Sequence, residues 1–196
     1  MKHAVRIIFL IIGISSLAAC SGGYKSDVSR FHNLPRPAGE SIEVMAAKAE
    51  RQSSLEFGQY AEMIGNRLGT IGYTPPVNGQ STPLIAYLDY GMQPVAGVTY
   101  EEGSSASIGM GTGGRHSSFG LGFSFPIGES KPRQDYVYIL SLDIVRRGDG
   151  AKLYEGKSTI RATGKAMNEM MPLLIDALFA DFPGQSGTAT RVKVGN

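Results

Sequence analysis

Residues 136–145 read YVYILSLDIV, and this run is the strongest strand signal in the chain. It is rich in β-branched and aromatic residues, which fit a pleated, half-buried surface. The sequence RGDG follows at 147–150, and Asp-Gly favours a tight reversal of the chain. In the returning stretch, 152–162, Tyr154, Ser158 and Ile160 alternate with charged or polar residues. The two stretches therefore predict a hairpin that has one solvated face.

Upstream of this hairpin the sequence predicts two strands with a helix between them. Ile42, Val44 and Ala46 alternate with polar or flexible neighbours, and a second strand is expected at 83–90. Between them, Ser53 and Glu56 form an S-x-x-E capping box, which marks the start of a helix. Gly69 and Gly72 offer positions at which the helix can end. The apolar stripe of this helix consists of Phe57, Tyr60, Ala61, Ile64 and Leu68.

A closing helix is predicted at residues 165–182. Pro172 falls inside it, and a proline in a helix interior costs about 3 kcal/mol. We therefore expect the helix to kink at Pro172 or its regular part to start near Met170. The methionines could form an adaptable binding groove, but their helical spacing favours a core role. The apolar stripe consists of Met167, Met170, Met171, Leu174, Leu178 and Phe182.

The order strand, helix, several strands, helix predicts an α+β domain. An antiparallel β-sheet with both helices packed on one face would bury the apolar stripes. We expect four parts in the chain: a leader at 1–19, a lipidated N-terminus and flexible tether at 20–40, a single domain at 41–184, and a polar tail at 185–196. Residues 28–31 could add a short strand to the sheet.

A glycine-rich stretch at 103–128 is predicted to form an additional β-hairpin. Phe119, Leu121, Phe123 and Phe125 alternate with small residues, so their side chains share one face. The first arm is expected at 108–111, with a turn at 113–114. The aromatic row is either core or an exposed binding patch, and we expect Phe123 and Phe125 to be core. The candidate binding surface consists of Gly109, Gly111, Gly114, Phe119 and Phe123.

The N-terminus carries the features of a lipoprotein signal peptide. Lys2 and Arg6 precede an apolar run at 7–14, which is shorter than the roughly 20 residues that a membrane-spanning helix needs. The run ends in Leu-Ala-Ala-Cys at 17–20, which predicts cleavage between Ala19 and Cys20 and lipid attachment to Cys20. This leader resembles those of bacterial lipoproteins. By that resemblance, Ser21 after the cysteine implies sorting to the outer membrane, with the inner membrane and the cell surface as alternatives.

Composition limits the function classes further. Cys20 is the only cysteine of the chain, so an intrachain disulfide is excluded. Removal of the leader takes away Lys2 and Arg6 and leaves 17 basic and 17 acidic residues, a formal charge of zero. The processed chain has no electrostatic signature of a nucleic-acid-binding protein. Its length is sufficient for one domain with a sizeable core.

Three local motifs carry a family resemblance. They are Gly72-Tyr73 at the end of the first helix, the arm from Gly150 to Gly156 that contains Tyr154, and LFADFPG at 178–184. Together they resemble bacterial lipoproteins of the domain of unknown function 4136 family, over residues 41–184. The family has no established activity, so the resemblance implies no catalytic residue.

The search for catalytic and ligand-binding motifs gives weak matches. Gly109, Gly111 and Gly114 satisfy G-x-G-x-x-G, but strand residues follow instead of the helix that a dinucleotide site requires. His116 precedes two serines, a pattern that a polar turn explains. The Arg-Gly-Asp at 147–149 matches an adhesion tripeptide but lies in a predicted turn. The sequence lacks H-E-x-x-H, C-x-x-C and G-x-S-x-G, so we expect no metal and no cofactor.

The sequence therefore favours an outer-membrane lipoprotein with a non-catalytic binding or structural domain in the periplasm. Its expected partners are the membrane, through Cys20, and another envelope protein. The alternative is a hydrolase or transferase that acts on envelope material through polar residues the sequence does not single out.

Overall fold

The computed structural model describes residues 22–77, 80–100, 105–108, 123–126 and 133–195. Within these ranges the chain forms eight strands and two α-helices. In chain order they are β1 (Tyr24–His32), β2 (Ile42–Ala46), α1 (Leu55–Ile71), β3 (Leu84–Tyr100), β4 (Ser105–Ile108), β5 (Phe123–Pro126), β6 (Arg133–Arg146), β7 (Lys152–Thr163), α2 (Met167–Phe179) and β8 (Thr188–Val194).

Six of the strands form one sheet in the order β2-β3-β6-β7-β1-β8, so the α+β prediction is confirmed. The prediction of a purely antiparallel sheet is wrong, because β2 and β3 run parallel, with Ile42 opposite Leu84. The chain between these two strands contains α1. Parallel neighbours need such a crossover, whereas antiparallel neighbours can be joined by a short turn.

The predicted central hairpin is formed by β6 and β7. Tyr138 lies opposite Ile160, and the turn at 147–149 places Gly150 at φ +70°. The Asp149 carboxylate stabilises this turn by accepting the Ala151 N–H at 3.1 Å and pairing with Arg146 at 2.8 Å. Arg147 donates to the Thr82 carbonyl at 2.8 Å. The Arg-Gly-Asp tripeptide therefore forms a turn, and its charged side chains make hydrogen bonds and ion pairs with other residues of the fold.

The first helix begins one residue later than predicted. Ser54, not Ser53, is the N-cap, and its Oγ accepts the Phe57 N–H at 3.1 Å. Only Ser53 has a glutamate three residues later, but the backbone geometry selects Ser54 as the N-cap. The predicted end is confirmed: Gly72 adopts φ +116°, and its N–H donates to the Gly69 carbonyl at 3.1 Å.

The second helix spans Met167–Phe179, shorter than predicted at both ends. It begins at Met167, so the predicted regular start near Met170 is wrong, and Pro172 lies inside the helix. Glu169 stabilises the first turn, since its Oε1 accepts the Ala166 N–H at 3.1 Å and its Oε2 pairs with Lys165 at 2.8 Å. The Pro172 side chain is exposed, and the lack of its N–H removes one helical hydrogen bond.

Two stretches predicted to lie outside the domain belong to the sheet. The predicted tether contains β1, and the predicted tail contains β8, which pairs with β1 along its whole length. The reason is visible in the inward residues of β1, which include Ser26, Val28 and Arg30. Ser26 and Ser158 are fully buried and hydrogen-bonded at 2.9 Å, so these short polar residues satisfy each other inside the core. The described fold therefore runs from β1 to β8.

The two faces of the sheet differ in burial. Most even-numbered strand residues are buried in one core together with apolar side chains of both helices. We call this side the inner face and the side of the odd-numbered residues the outer face. The main inner-face residues are Val28, Ala86, Leu88, Tyr138, Leu140, Leu142, Ile144, Tyr154 and Ile160; the helices contribute Phe57, Tyr60, Ile64, Leu68, Met170, Met171, Leu174, Ile175 and Leu178.

One corner of this core gathers residues that are distant in sequence. Arg30 is 2% exposed and donates to the Leu178 carbonyl at 3.0 Å, at the C-terminal end of α2. Tyr154 packs against Phe182 at 4.7 Å between ring centroids. The Tyr154 ring lies over Gly156, where a Cβ would overlap it. Residues that carry the family resemblance therefore have packing roles at this corner.

The glycine-rich stretch is described only in part. β4 and β5 form a separate antiparallel ladder in which Ile108 lies opposite Phe123. Gly109, Gly111, Gly114 and Phe119 lie outside the described residues, as does the expected turn. The assignment of Phe123 and Phe125 to the core remains a prediction.

Candidate functional site

The outer face of the sheet is the broadest candidate surface in the part of the chain described here. Apart from Ile85, Asp135 and Leu153, its odd-numbered residues are half-buried or exposed. Half-buried apolar side chains of β3 and β6 also lie on this face: Tyr87 is opposite the charged Asp143, and Ile139 is opposite Gly91 and Thr159. Mixed apolar and charged surface of this kind can bind a partner without providing a catalytic group.

The middle of the outer face is a polar groove of about 400 Å³. Three neighbouring strands supply a row in which Asp89 lies opposite Ser141 and Ser141 lies opposite Lys157. The Asp89 carboxylate pairs with Lys48 at 3.3 Å and with Arg51 at 3.4 Å. The groove therefore contains three cations and one carboxylate, an excess of positive charge.

Arg51 is held in a fixed position at the edge of this groove. Its guanidinium lies 4.5 Å from the centroid of the Tyr90 ring and also donates to the Tyr90 carbonyl. Burial raises the pKa of Tyr90, so its hydroxyl stays protonated at neutral pH and donates to Glu56 at 3.3 Å. These contacts orient the cation before any ligand arrives.

A second concave area of about 650 Å³ lies at the end of the sheet where β1 begins, which we call the Tyr24 end. Arg191 pairs with Asp27 at 2.6 Å, and this hydrogen bond lowers the pKa of Asp27. Arg161 pairs with Asp135 at 3.0 Å. The pKa of Asp135 is lowered first by the hydrogen bond from Thr163 and then by that from Arg161. Both carboxylates are therefore charged at neutral pH.

A third groove, of about 370 Å³, runs between α1 and the edge strand β2. Its surface is mostly apolar and includes Val44 and Gly65. The strand edge is partly closed at both ends, because Gln52 accepts the Ala46 N–H at 2.7 Å and Thr74 accepts the Ile42 N–H at 3.0 Å. Protection of this kind limits strand addition to an exposed edge.

The structure does not bring the predicted site residues together within its described part. Ala19, Cys20, Gly109, Gly111, Gly114 and Phe119 lie outside the described residues, and only the backbone of Phe123 is described. Among the described residues, no group of three or more His, Cys, Asp and Glu side chains is arranged to hold a metal ion. None of the described helices is long and apolar enough to span a bilayer.

Sequence analysis missed the charged rows of the outer face. Their members come from strands far apart in the chain, and the pairing register decides which of them become neighbours. A signal for β8 was present, since Thr188, Thr190, Val192 and Val194 alternate with other residues. This β-branched alternation is typical of a strand.

No protein-family model matches the chain, and no curated protein matches it. Among solved structures, it is similar to a PDZ domain protein from Parabacteroides distasonis, at 13% identity and a TM-score of 0.49, over 86% of this chain. The chain spans only 39% of that protein. It is also similar to a PelC dodecamer from Paraburkholderia phytofirmans, at 13% identity and a TM-score of 0.41, over 79% of this chain and 95% of that one.

Proposed function

We propose that the protein is a lipoprotein of the bacterial cell envelope, anchored through Cys20. Its folded part is a non-catalytic binding or structural domain on the periplasmic side of the outer membrane. The leader supports this proposal, because its apolar run is followed by Leu-Ala-Ala-Cys at 17–20. The similarity of three motifs to the domain of unknown function 4136 family supports it as well.

The proposal extends to the arrangement of the domain. Both helices cover the inner face, the outer face stays free, and a glycine-rich hairpin extends between β3 and β6. The shared core of helix and inner-face side chains supports this arrangement. A salt bridge between Arg67 of α1 and Asp176 of α2 supports it too, because it links the two helices.

One observation carries the binding role: charged side chains on the outer face are fixed by ion pairs around half-buried apolar residues. Asp89 holds Lys48 and Arg51, and the Arg51 position is further fixed by Tyr90. A preorganised charged surface binds a partner at a lower entropic cost than a mobile one. An envelope protein whose surface is acidic overall fits the excess positive charge of the polar groove.

The anchor is tested by Cys20→Ser in the full-length chain, with Ser21→Ala as the matched control. We expect the serine variant to lose lipid-dependent processing and the control to fractionate with membranes like the natural chain. Normal processing and lipid labelling of the serine variant would contradict the anchor.

The binding surface is tested by crosslinked capture from envelopes with Arg51→Glu, which reverses the charge at the groove. The control is Arg36→Glu, a change at an exposed position outside the sheet. We expect the first variant alone to lose a specific partner, and thermal unfolding verifies that both variants fold. Equal capture by both variants would contradict a role for this groove.

A further inference from the structure

The sheet begins close to the proposed site of lipid attachment. β1 starts at Tyr24, so only three residues separate this strand from Cys20. A fully extended chain spans at most about 3.6 Å per residue, which limits the distance between the Cα atoms of Cys20 and Tyr24 to about 14 Å. A lipid on Cys20 would therefore hold the Tyr24 end next to the bilayer surface.

Three exposed cations lie side by side at this end of the outer face. Lys25 on β1 is opposite Lys193 on β8. Arg161 on β7 follows Ile160, which is opposite Ser26, so Arg161 is the β7 neighbour of Lys25. Strands of a sheet are about 4.8 Å apart, so the backbones of the three residues span roughly 10 Å. We call Lys193, Lys25 and Arg161 the basic row.

The charge of the basic row is only partly neutralised. Arg161 pairs with Asp135, but Lys25 and Lys193 have no carboxylate within salt-bridge distance among the residues that the structure describes. At the opposite end of the sheet, Lys152 pairs with Asp143 at 3.1 Å and with Glu155 at 2.5 Å. Positive charge therefore accumulates at the Tyr24 end although the processed chain is neutral overall.

We propose that the basic row binds the anionic phospholipid headgroups of the bilayer in which the Cys20 lipid is inserted. This inference rests on the proposed lipid anchor and adds the orientation of the domain to it. The span of about 14 Å is comparable to the Debye length of about 10 Å at 0.1 M salt, so the cations remain within reach of the surface charge. A basic patch next to a lipid anchor strengthens membrane attachment.

This contact fixes how the domain stands on the membrane. The strands run away from the bilayer, and the turn at 147–149 between β6 and β7 lies at the end remote from it. The middle of the outer face, with Asp89 and Lys157, is then accessible from the periplasm. The membrane contact and the partner-binding groove occupy different parts of the same face.

The test uses the leaderless chain 20–196, which contains every described residue. Cys20 is its only cysteine, so a maleimide lipid in a preformed vesicle couples at that position alone. One set of vesicles is phosphatidylcholine, and the other contains phosphatidylglycerol as roughly a third of its lipid. An amine-reactive ester then labels exposed lysines, and mass spectrometry gives the labelling rate at each position.

We expect the labelling rates of Lys25 and Lys193 to fall several-fold on the anionic vesicles only. Lys152 and Lys157 serve as internal controls and should label equally on both. At about 1 M salt, where the Debye length is about 3 Å, the protection should disappear. Equal rates at Lys25 and Lys193 on the two vesicles, or protection of Lys157 instead, would overturn the proposal.

A second measurement uses the same chain with Cys20→Ser and vesicles without the maleimide lipid. Each lysine changed to glutamine, Lys25→Gln or Lys193→Gln, should lower partition onto anionic vesicles about fivefold. Lys152→Gln, at the opposite end of the sheet where Asp143 and Glu155 neutralise the lysine, is the matched control and should leave partition unchanged. Thermal unfolding verifies that all variants fold. Equal partition of all variants would contradict a role for the basic row. The first assay attaches the lipid chemically, and the second uses no lipid anchor. Their outcomes therefore do not depend on whether Cys20 is lipidated in cells.

Discussion

The two faces of the central sheet use different interactions. The inner face consists of buried side chains, such as Leu140 and Leu142 at 0% exposure, which belong to one core cluster with apolar side chains of both helices. The outer face consists of half-exposed ion pairs, such as that between Lys48 and Asp89. Exposed pairs contribute up to about 1 kcal/mol each, whereas a buried leucine contributes about 1.5–3 kcal/mol. Stability therefore resides mainly on the inner face.

The largest expected effect is on the inner face of β6. Leu142→Ala removes a fully buried side chain and should lower the free energy of unfolding by about 2–5 kcal/mol. Its matched control, Ile139→Ala, truncates a half-buried side chain on the outer face of the same strand and should cost less than half as much. Urea denaturation of both variants measures the difference. Equal losses would contradict the division between the two faces.

The second effect concerns Arg30, the charged residue of the inner face. Arg30→Met removes the Arg30 donor from the carbonyls of Ala177 and Leu178, of which Ala177 still accepts the Ala180 N–H, and this should cost about 1–3 kcal/mol. Arg191→Met is the control, because it removes an exposed arginine and should cost less than about 1 kcal/mol. Thermal unfolding of both proteins compares them. A loss for Arg191→Met as large as that for Arg30→Met would show that burial is not the cause.

The third effect separates close packing from backbone strain. Gly184 and Gly187 both adopt φ +76°. A Cβ at Gly184 would lie 2.9 Å from the Asp181 carbonyl oxygen, whereas a Cβ at Gly187 would have no described atom within 4 Å. Gly187→Ala should cost about 1–2 kcal/mol through strain alone. Gly184→Ala should cost more, since the carbonyl and the Arg30 side chain must shift. Chemical denaturation that gives equal costs would contradict tight packing at this corner.

The smallest effect at neutral pH is expected at Tyr154. Burial raises the pKa of Tyr154 to about 12, against about 10 in the unfolded chain. The contribution of Tyr154 to the free energy of unfolding is complete below pH 10. It is lost as the pH rises from 10 to 12, because this tyrosine ionises more readily in the unfolded chain. The buried hydroxyl has no hydrogen-bond partner among the described residues, so Tyr154→Phe should change stability at pH 7 by less than about 0.5 kcal/mol.

The measurement for this prediction is the melting temperature between pH 9 and pH 12. Tyr154→Phe should lose less stability over this range than the natural chain. An alkaline profile of Tyr154→Phe that is identical to that of the natural chain would contradict the role of Tyr154 ionisation.

The sequence predicted the elements whose local signals are strong. The β6–β7 hairpin combines β-branched residues with an Asp-Gly turn, and α1 has both a cap and an apolar stripe. It gave only residues 28–31 of β1 as a short strand, and it missed β8 despite its β-branched alternation. In β1, Ser26 and Arg30 occupy inward positions, where tertiary partners such as Ser158 satisfy them. The basic row could not be predicted, since Lys25, Arg161 and Lys193 become neighbours only through pairing of distant strands.

The central claim is that the chain is processed to Cys20 and carries a lipid there, with the sheet beginning next to it. Mass spectrometry of the N-terminal tryptic peptide from native membranes tests this most directly. We expect the peptide CSGGYK, residues 20–25, with acyl chains on Cys20 and no peptide from residues 1–19. A mature protein that retains the leader, or an unmodified Cys20 at its N-terminus, would contradict the account.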